Sequence, residues 1–125
     1  MKARNVRESF GFAGLGIAHA YRTERNLRIH VVAVVLVGAM CMVLRVDSRE
    51  VCLLALAATI VLSAEMINTA VELCVDLVTQ EFHPLAAAAK NVAAGAVLVS
   101  VVGAVAVGLG VFGPRLFAII KGLAR

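Results

Sequence analysis

The stretch Ser63–Leu77, SAEMINTAVELCVDL, decides how this chain is read. It sets Glu65, Asn68, Glu72 and Asp76 in a run that otherwise suits lipid. A helix advances about 100° per residue, so with Glu65 at zero, Asn68 falls near −60°, Glu72 near −20° and Asp76 near +20°. Thr69 and Thr79 fall near +40° and −40° on the same reckoning. The polar groups therefore share one face of one helix. A charged side chain at mid-bilayer costs at least ~2.5–3.5 kcal/mol on insertion scales, so such a row does not face lipid. It faces other helices, water, a cation or a substrate.

The surrounding chain is 125 residues long, 62% hydrophobic and 16% charged, without tryptophan. A soluble domain of this size has too little interior to hide that much apolar surface. Lipid is the expected solvent, and residues 1–125 read as one domain, since nothing resembling a linker interrupts them. Three apolar runs stand out: 29–44, 51–78 and 92–112. The first is short for a bilayer that needs ~20 apolar residues, so its helix is expected to begin earlier, within TERNLRIH (23–30). Backbone groups in hydrocarbon must be satisfied within their own segment, which makes all three runs α-helices. The predicted fold is an all-α integral membrane protein.

Ahead of the first run, Val6, Phe10, Ile17 and Tyr21 recur on one helical face over residues 4–24. This predicts an N-terminal amphipathic helix on the membrane surface. Lys2, Arg4, Arg7, Arg22, Arg25 and Arg28 precede the first span, which puts the N-terminus in the cytoplasm. Residues 79–91, TQEFHPLAAAAKN, then form a cytoplasmic loop, and the C-terminus lies outside; Arg115, Lys121 and Arg125 argue against that last placement. A multi-pass protein of a bacterial inner membrane is expected. Cys41, Cys52 and Cys74 lie in apolar runs without CxxC or Cys/His spacing and read as small buried hydrophobes. GLGVFG (108–113) matches GxGxxG but follows no strand, so it is set aside as a dinucleotide site, and there is no P-loop.

The acidic row leads from mid-membrane toward the cytoplasmic side, where Glu81, His83 and Lys90 lie. Glu24, just before the first span, falls on that side too. Glu24 and Glu72 together suit Mg²⁺, which takes one or two carboxylates plus substrate phosphates. Lys90 suits phosphate oxygens as a point charge. Glu65, deeper, suits a base taking a proton from a hydroxyl. These are the parts of phosphoryl transfer. A small proton-coupled transporter is a rival reading, since intramembrane carboxylates mark ion paths. The polar groups crowd toward one side, which favours chemistry between a lipid headgroup and a water-soluble reactant.

AEMINTAVELCVDL (64–77) closely resembles the signature of the prokaryotic diacylglycerol kinase family, roughly E-x-x-N-[ST]-A-[IV]-E-x-x-x-D. Glu65, Asn68, Thr69, Ala70, Val71, Glu72 and Asp76 match it, and TERNLRIH, EFHPLAAAAK and AAGAVL extend the resemblance in order. TERNLRIH and FHPLA look most like the undecaprenol kinase branch. The resemblance implies a homotrimer, each subunit with three transmembrane helices and a surface helix. It implies transfer from Mg-ATP to a lipid alcohol: undecaprenol first, diacylglycerol as the alternative. Membrane lipids, ATP, the lipid alcohol and further copies of the chain are the implied partners, and no nucleic acid. Carried over by position, Glu65 is the catalytic base, Glu24 and Glu72 bind the metal, and Glu81, His83 and Lys90 contact the nucleotide. Asn68 and Asp76 shape the site. Asn91 stands where the family usually has aspartate, and Phe12 where some members have tyrosine, both beside the nucleotide. The asparagine keeps an acceptor but loses a charge, which leaves a degenerate, non-catalytic member as a further reading. His30 replaces an acid seen in some relatives and receives no role.

Overall fold

The computed structural model describes residues 4–123, so Lys2 and Arg125, used above to read orientation, lie outside the described residues. Four helices follow in order: α1 (Val6–Thr23), α2 (Arg25–Val43), α3 (Ser48–Val78) and α4 (Pro84–Leu123). The last three are each long and apolar enough to cross a membrane. The predicted spans 51–78 and 92–112 fall inside α3 and α4, and the span 29–44 overruns the end of α2 by one residue.

The helix ends follow from local chemistry. Asn5 caps α1, its side chain accepting from the Glu8 N–H at 2.8 Å. Glu24 is extended (φ −93°, ψ 117°) and makes the joint: its N–H closes α1 onto the Ala20 carbonyl, and α2 starts at the next residue. So α2 does begin within TERNLRIH. It ends in a Schellman turn, with Val46 N–H donating to Cys41 O at 3.0 Å and Arg45 N–H to Met42 O at 3.4 Å. Arg45 takes the left-handed position of that turn (φ 47°), which usually holds glycine. Asp47 then opens α3 with a capping box completed by Glu50.

The fourth helix is longer than its apolar run. Residues 79–91 were expected as a loop, but the connection occupies only 79–83, and 84–91 belong to α4. Pro84 lacks an N–H where none is needed, and the alanines behind it are strong helix formers. At the other end α4 passes through Pro114. That ring removes the backbone donor that the Gly110 carbonyl would otherwise receive. One residue on, Arg115 Nη1 donates to the Val111 carbonyl at 2.7 Å.

Packing is dominated by the antiparallel α3–α4 hairpin; α2 lies against α3, and α1 touches α2 and α3. One register holds along the hairpin. Arg115 Nη2 meets Glu50 Oε2 at 2.5 Å at one end, and Lys90 Nζ meets Asp76 Oδ1 at 2.6 Å at the other. Leu54, Val111 and Phe112 form a small core near the first pair, with Val37, Met40, Cys41 and Val46 packed on it. Here α2 joins the hairpin, and the Schellman turn delivers Val46 into the cluster. A cavity of about 280 Å³ adjoins this core between α2, α3 and α4. Val34, Val61, Val101 and Phe112 line it, and so does His30.

The cysteines are free, as expected, but only Cys41 is partly buried; Cys52 and Cys74 are exposed on the outer surface. The expectation that all three are buried is corrected. An apolar side chain on a membrane helix is equally at home against lipid, so hydrophobic context alone does not imply protein burial. Ala96, Ser100, Ala104 and Gly108 recur every fourth residue along α4, and Ala104 and Gly108 line the cavity.

Candidate active site

The acidic row of α3 lies on the face turned toward its neighbours in its deeper half. Glu65 (3% exposed), Asn68 (9%) and Thr69 (4%) are the buried polar residues among those described. Thr69 Oγ1 donates to the Glu65 carbonyl at 3.0 Å, within the helix. Glu65 itself reaches across to α2, where Oε1 lies 3.1 Å from His30 Nε2. Asn68 Nδ2 donates to Glu72 Oε1 at 2.8 Å, one turn along. The amide orientation is set by chemistry, since an ionised carboxylate only accepts. It leaves Asn68 Oδ1 buried without a partner among the described residues. Such an orphan acceptor costs ~1–3 kcal/mol unless something outside the chain donates to it. A substrate hydroxyl, a water or a neighbouring subunit would serve.

Asn68 and Asp76, inseparable in the sequence, thus have different surroundings. Asn68 is an interior link to Glu72. Asp76 is exposed and holds Lys90 across the hairpin. An ammonium has three N–H donors, so Lys90 keeps two for other oxygens while bound to Asp76. Asn91, Glu81 and His83 are exposed nearby in sequence, and His83 Nδ1 accepts from the Leu85 N–H at 3.2 Å at the start of α4.

Glu24 is half-buried at the α1–α2 joint, and its carboxylate makes no capping bond to α2. The α2–α3 register sets its level. His30 pairs with Glu65, so six residues back along α2 corresponds to six or seven forward on α3, near Glu72. Among the described residues no three His, Cys, Asp or Glu side chains cluster as a ready-made metal cage. The donor chemistry here is two hard carboxylates at one level, one carrying an asparagine bond. That fits a cation completed by phosphate oxygens. Phe12 is partly exposed on α1, the helix that touches both α2 and α3.

Spacing along the chain does not single out His30. Its contact with Glu65 depends on how α2 crosses α3, with thirty-five residues between them. The Glu50–Arg115 pair was missed for the same reason.

The model of the family described as prokaryotic diacylglycerol kinase matches residues 11–112, which include every site residue named above. The chain belongs to the prokaryotic diacylglycerol kinase family. Among curated relatives, a diacylglycerol kinase of Synechocystis is 43% identical over 107 residues, 85% of this chain and 61% of the relative. This chain therefore spans less than two thirds of that relative's length. An undecaprenol kinase of Bacillus subtilis is 41% identical over 109 residues, 87% of this chain and 89% of the relative. A diacylglycerol kinase of Escherichia coli is 33% identical over 95 residues, 76% of this chain and 78% of the relative. Members of the family thus carry both substrate names at comparable similarity.

Proposed function

We propose that this protein is a membrane lipid kinase that transfers the γ-phosphoryl group of ATP to the hydroxyl of a lipid alcohol. Undecaprenol is the first candidate and diacylglycerol the second. The observation that carries the reading is the polar row on α3, from the buried Glu65 through Asn68 and Glu72 to the exposed Asp76–Lys90 pair. It links an apolar interior, where a lipid can enter, to an end that a nucleotide can reach. Family membership supports the same reaction class. The near-full coverage of both chains in the comparison with the Bacillus undecaprenol kinase supports the order of substrates.

In this reading Glu65 accepts the proton of the lipid hydroxyl as its oxygen attacks the γ-phosphorus. The bond to the β–γ bridging oxygen breaks, and ADP leaves with that electron pair. Glu24 and Glu72 would hold Mg²⁺, which would neutralise phosphate charge when bound. Lys90 uses its remaining N–H groups on phosphate oxygens, and Asp76 keeps it aimed. Glu81, His83, Asn91 and Phe12 surround the nucleotide at the same end. Asn68 holds Glu72 in place and offers its unpartnered Oδ1 to a donor from the substrate side. Residues 1–125 act as one unit, with the N-terminus cytoplasmic in a bacterial inner membrane. The helix α1 lies along the membrane surface, where exposed Val6, Phe10, Ile17 and Tyr21 enter the lipid. The chain works as a homotrimer.

The test is phosphate transfer from labelled ATP in mixed micelles, with undecaprenol and diacylglycerol as competing acceptors. Labelled undecaprenyl phosphate as the main product is expected. Labelled phosphatidic acid instead would keep the chemistry and reverse the order of substrates. No transfer to either by folded protein would overturn the kinase reading and turn attention to Asn91.

A further inference from the structure

The buried Glu65 is held by a residue to which the sequence reading gave no role. His30 Nε2 lies 3.1 Å from Glu65 Oε1, and His30 also lines the cavity between α2, α3 and α4. Its side chain is 21% exposed, against 3% for Glu65. With Glu65 ionised the carboxylate can only accept, so Nε2 carries the proton and donates. That bond engages one carboxylate oxygen. Oε2 has no hydrogen-bond partner among the described residues, yet it is not sealed off as Asn68 Oδ1 is. We infer that His30 is the positioning residue of the base: it fixes the Glu65 carboxylate through Oε1 and leaves Oε2 as the oxygen that takes the hydroxyl proton. The inference rests on the reading of Glu65 as base.

The physical reason is orientation. Carboxylate torsions are broad and roughly two-fold, so a glutamate held by no partner samples several aims. The other charged groups at this end do not take part in the pair. On α3, Glu72 is bound by Asn68 and Asp76 by Lys90 of α4. On the α2 side Arg28 donates to the carbonyls of Tyr21 and Arg22. Glu24 lies at the joint, and His19 and Arg22 lie on α1 with no recorded bond to either member.

The experiment compares His30→Ala, His30→Gln and Glu65→Gln in full-length protein in micelles. Steady-state kinetics and ¹⁵N–¹H correlation of the histidine rings are measured for each. Glutamine places an amide N–H where Nε2 stood. His30→Ala is expected to lower kcat about tenfold or more with both KM values little changed. His30→Gln is expected to recover most of the loss. The His30 ring signal, assigned by its absence in His30→Gln, is expected to shift in Glu65→Gln. Full activity in His30→Ala alongside an inactive Glu65→Gln overturns the positioning role and leaves the base. So does equal damage in His30→Ala and His30→Gln. An active Glu65→Gln overturns the base reading itself. If His30→Ala does not fold, the glutamine variant and the ring spectrum still decide.

Discussion

Glu65 interrupts an apolar run of α3 and is among the most buried polar side chains described. Positioned general bases contribute about 10²–10⁴-fold, so Glu65→Gln is expected to lower kcat by that order while the protein still folds. Labelled-phosphate turnover together with thermal melting checks both halves. Glu72→Gln should act differently. It keeps a partner for Asn68 but loses a charge for the cation, so the apparent affinity for Mg-ATP should fall, as read by nucleotide titration at varied Mg²⁺. The sequence could place these carboxylates on one face because helical angle is local. It could not pair Glu65 with His30, or separate Asn68 from Asp76, because those outcomes depend on which neighbouring helix stands opposite.

At the scale of elements, the three apolar helices were legible from run length and hydropathy, and their ends less so. The start of α4 carried a signal in Pro84 followed by alanines, but the polar residues before it made the whole segment look like loop. The α2–α3 turn depends on Arg45 in a left-handed conformation. That conformation costs a non-glycine residue roughly 1–2 kcal/mol. Arg45→Gly is therefore expected to raise the melting temperature modestly, since its relief of strain exceeds the added freedom of the unfolded chain. The Asp47 cap makes a pH prediction. The backbone N–H of Glu50, then that of Arg49, hold the Asp47 carboxyl below its ordinary value of 3.8. A group depressed on folding stabilises the fold above its unfolded value and loses that contribution as pH falls through its folded one. Melting measured from pH 7 downward should show a small loss beginning below about pH 4, reduced in Asp47→Asn.

For the whole molecule, most of the apolar helix surface is left outward, as a chain solvated by lipid or by further subunits requires. The composition foretold that much. It did not foretell that the subunit's own core is confined to one end, around Leu54, Val111 and Phe112, while the polar row occupies the other. The Glu50–Arg115 pair ties the hairpin together at that end. Arg115→Ala should therefore lower thermal stability, because it removes that pair and the side-chain bond to the Val111 carbonyl, with KM for ATP little changed.

The two ion pairs that bracket the hairpin also fix a length. Glu50 and Asp76 are twenty-six residues apart on one continuous helix, which at 1.5 Å per residue is about 39 Å. A bilayer is about 30 Å thick across its hydrocarbon and ~40–45 Å with its headgroups, so both pairs fall at headgroup depth. The hairpin is thus a ruler with charged end-marks. In a thicker bilayer one pair is drawn into hydrocarbon, and in a thinner one apolar turns emerge or the helices tilt, each at a fraction of a kcal/mol per Å of mismatch. Activity reconstituted in a series of phosphatidylcholines of increasing chain length should pass through a maximum, because the depth of Glu65 relative to the lipid hydroxyl is set by the same ruler.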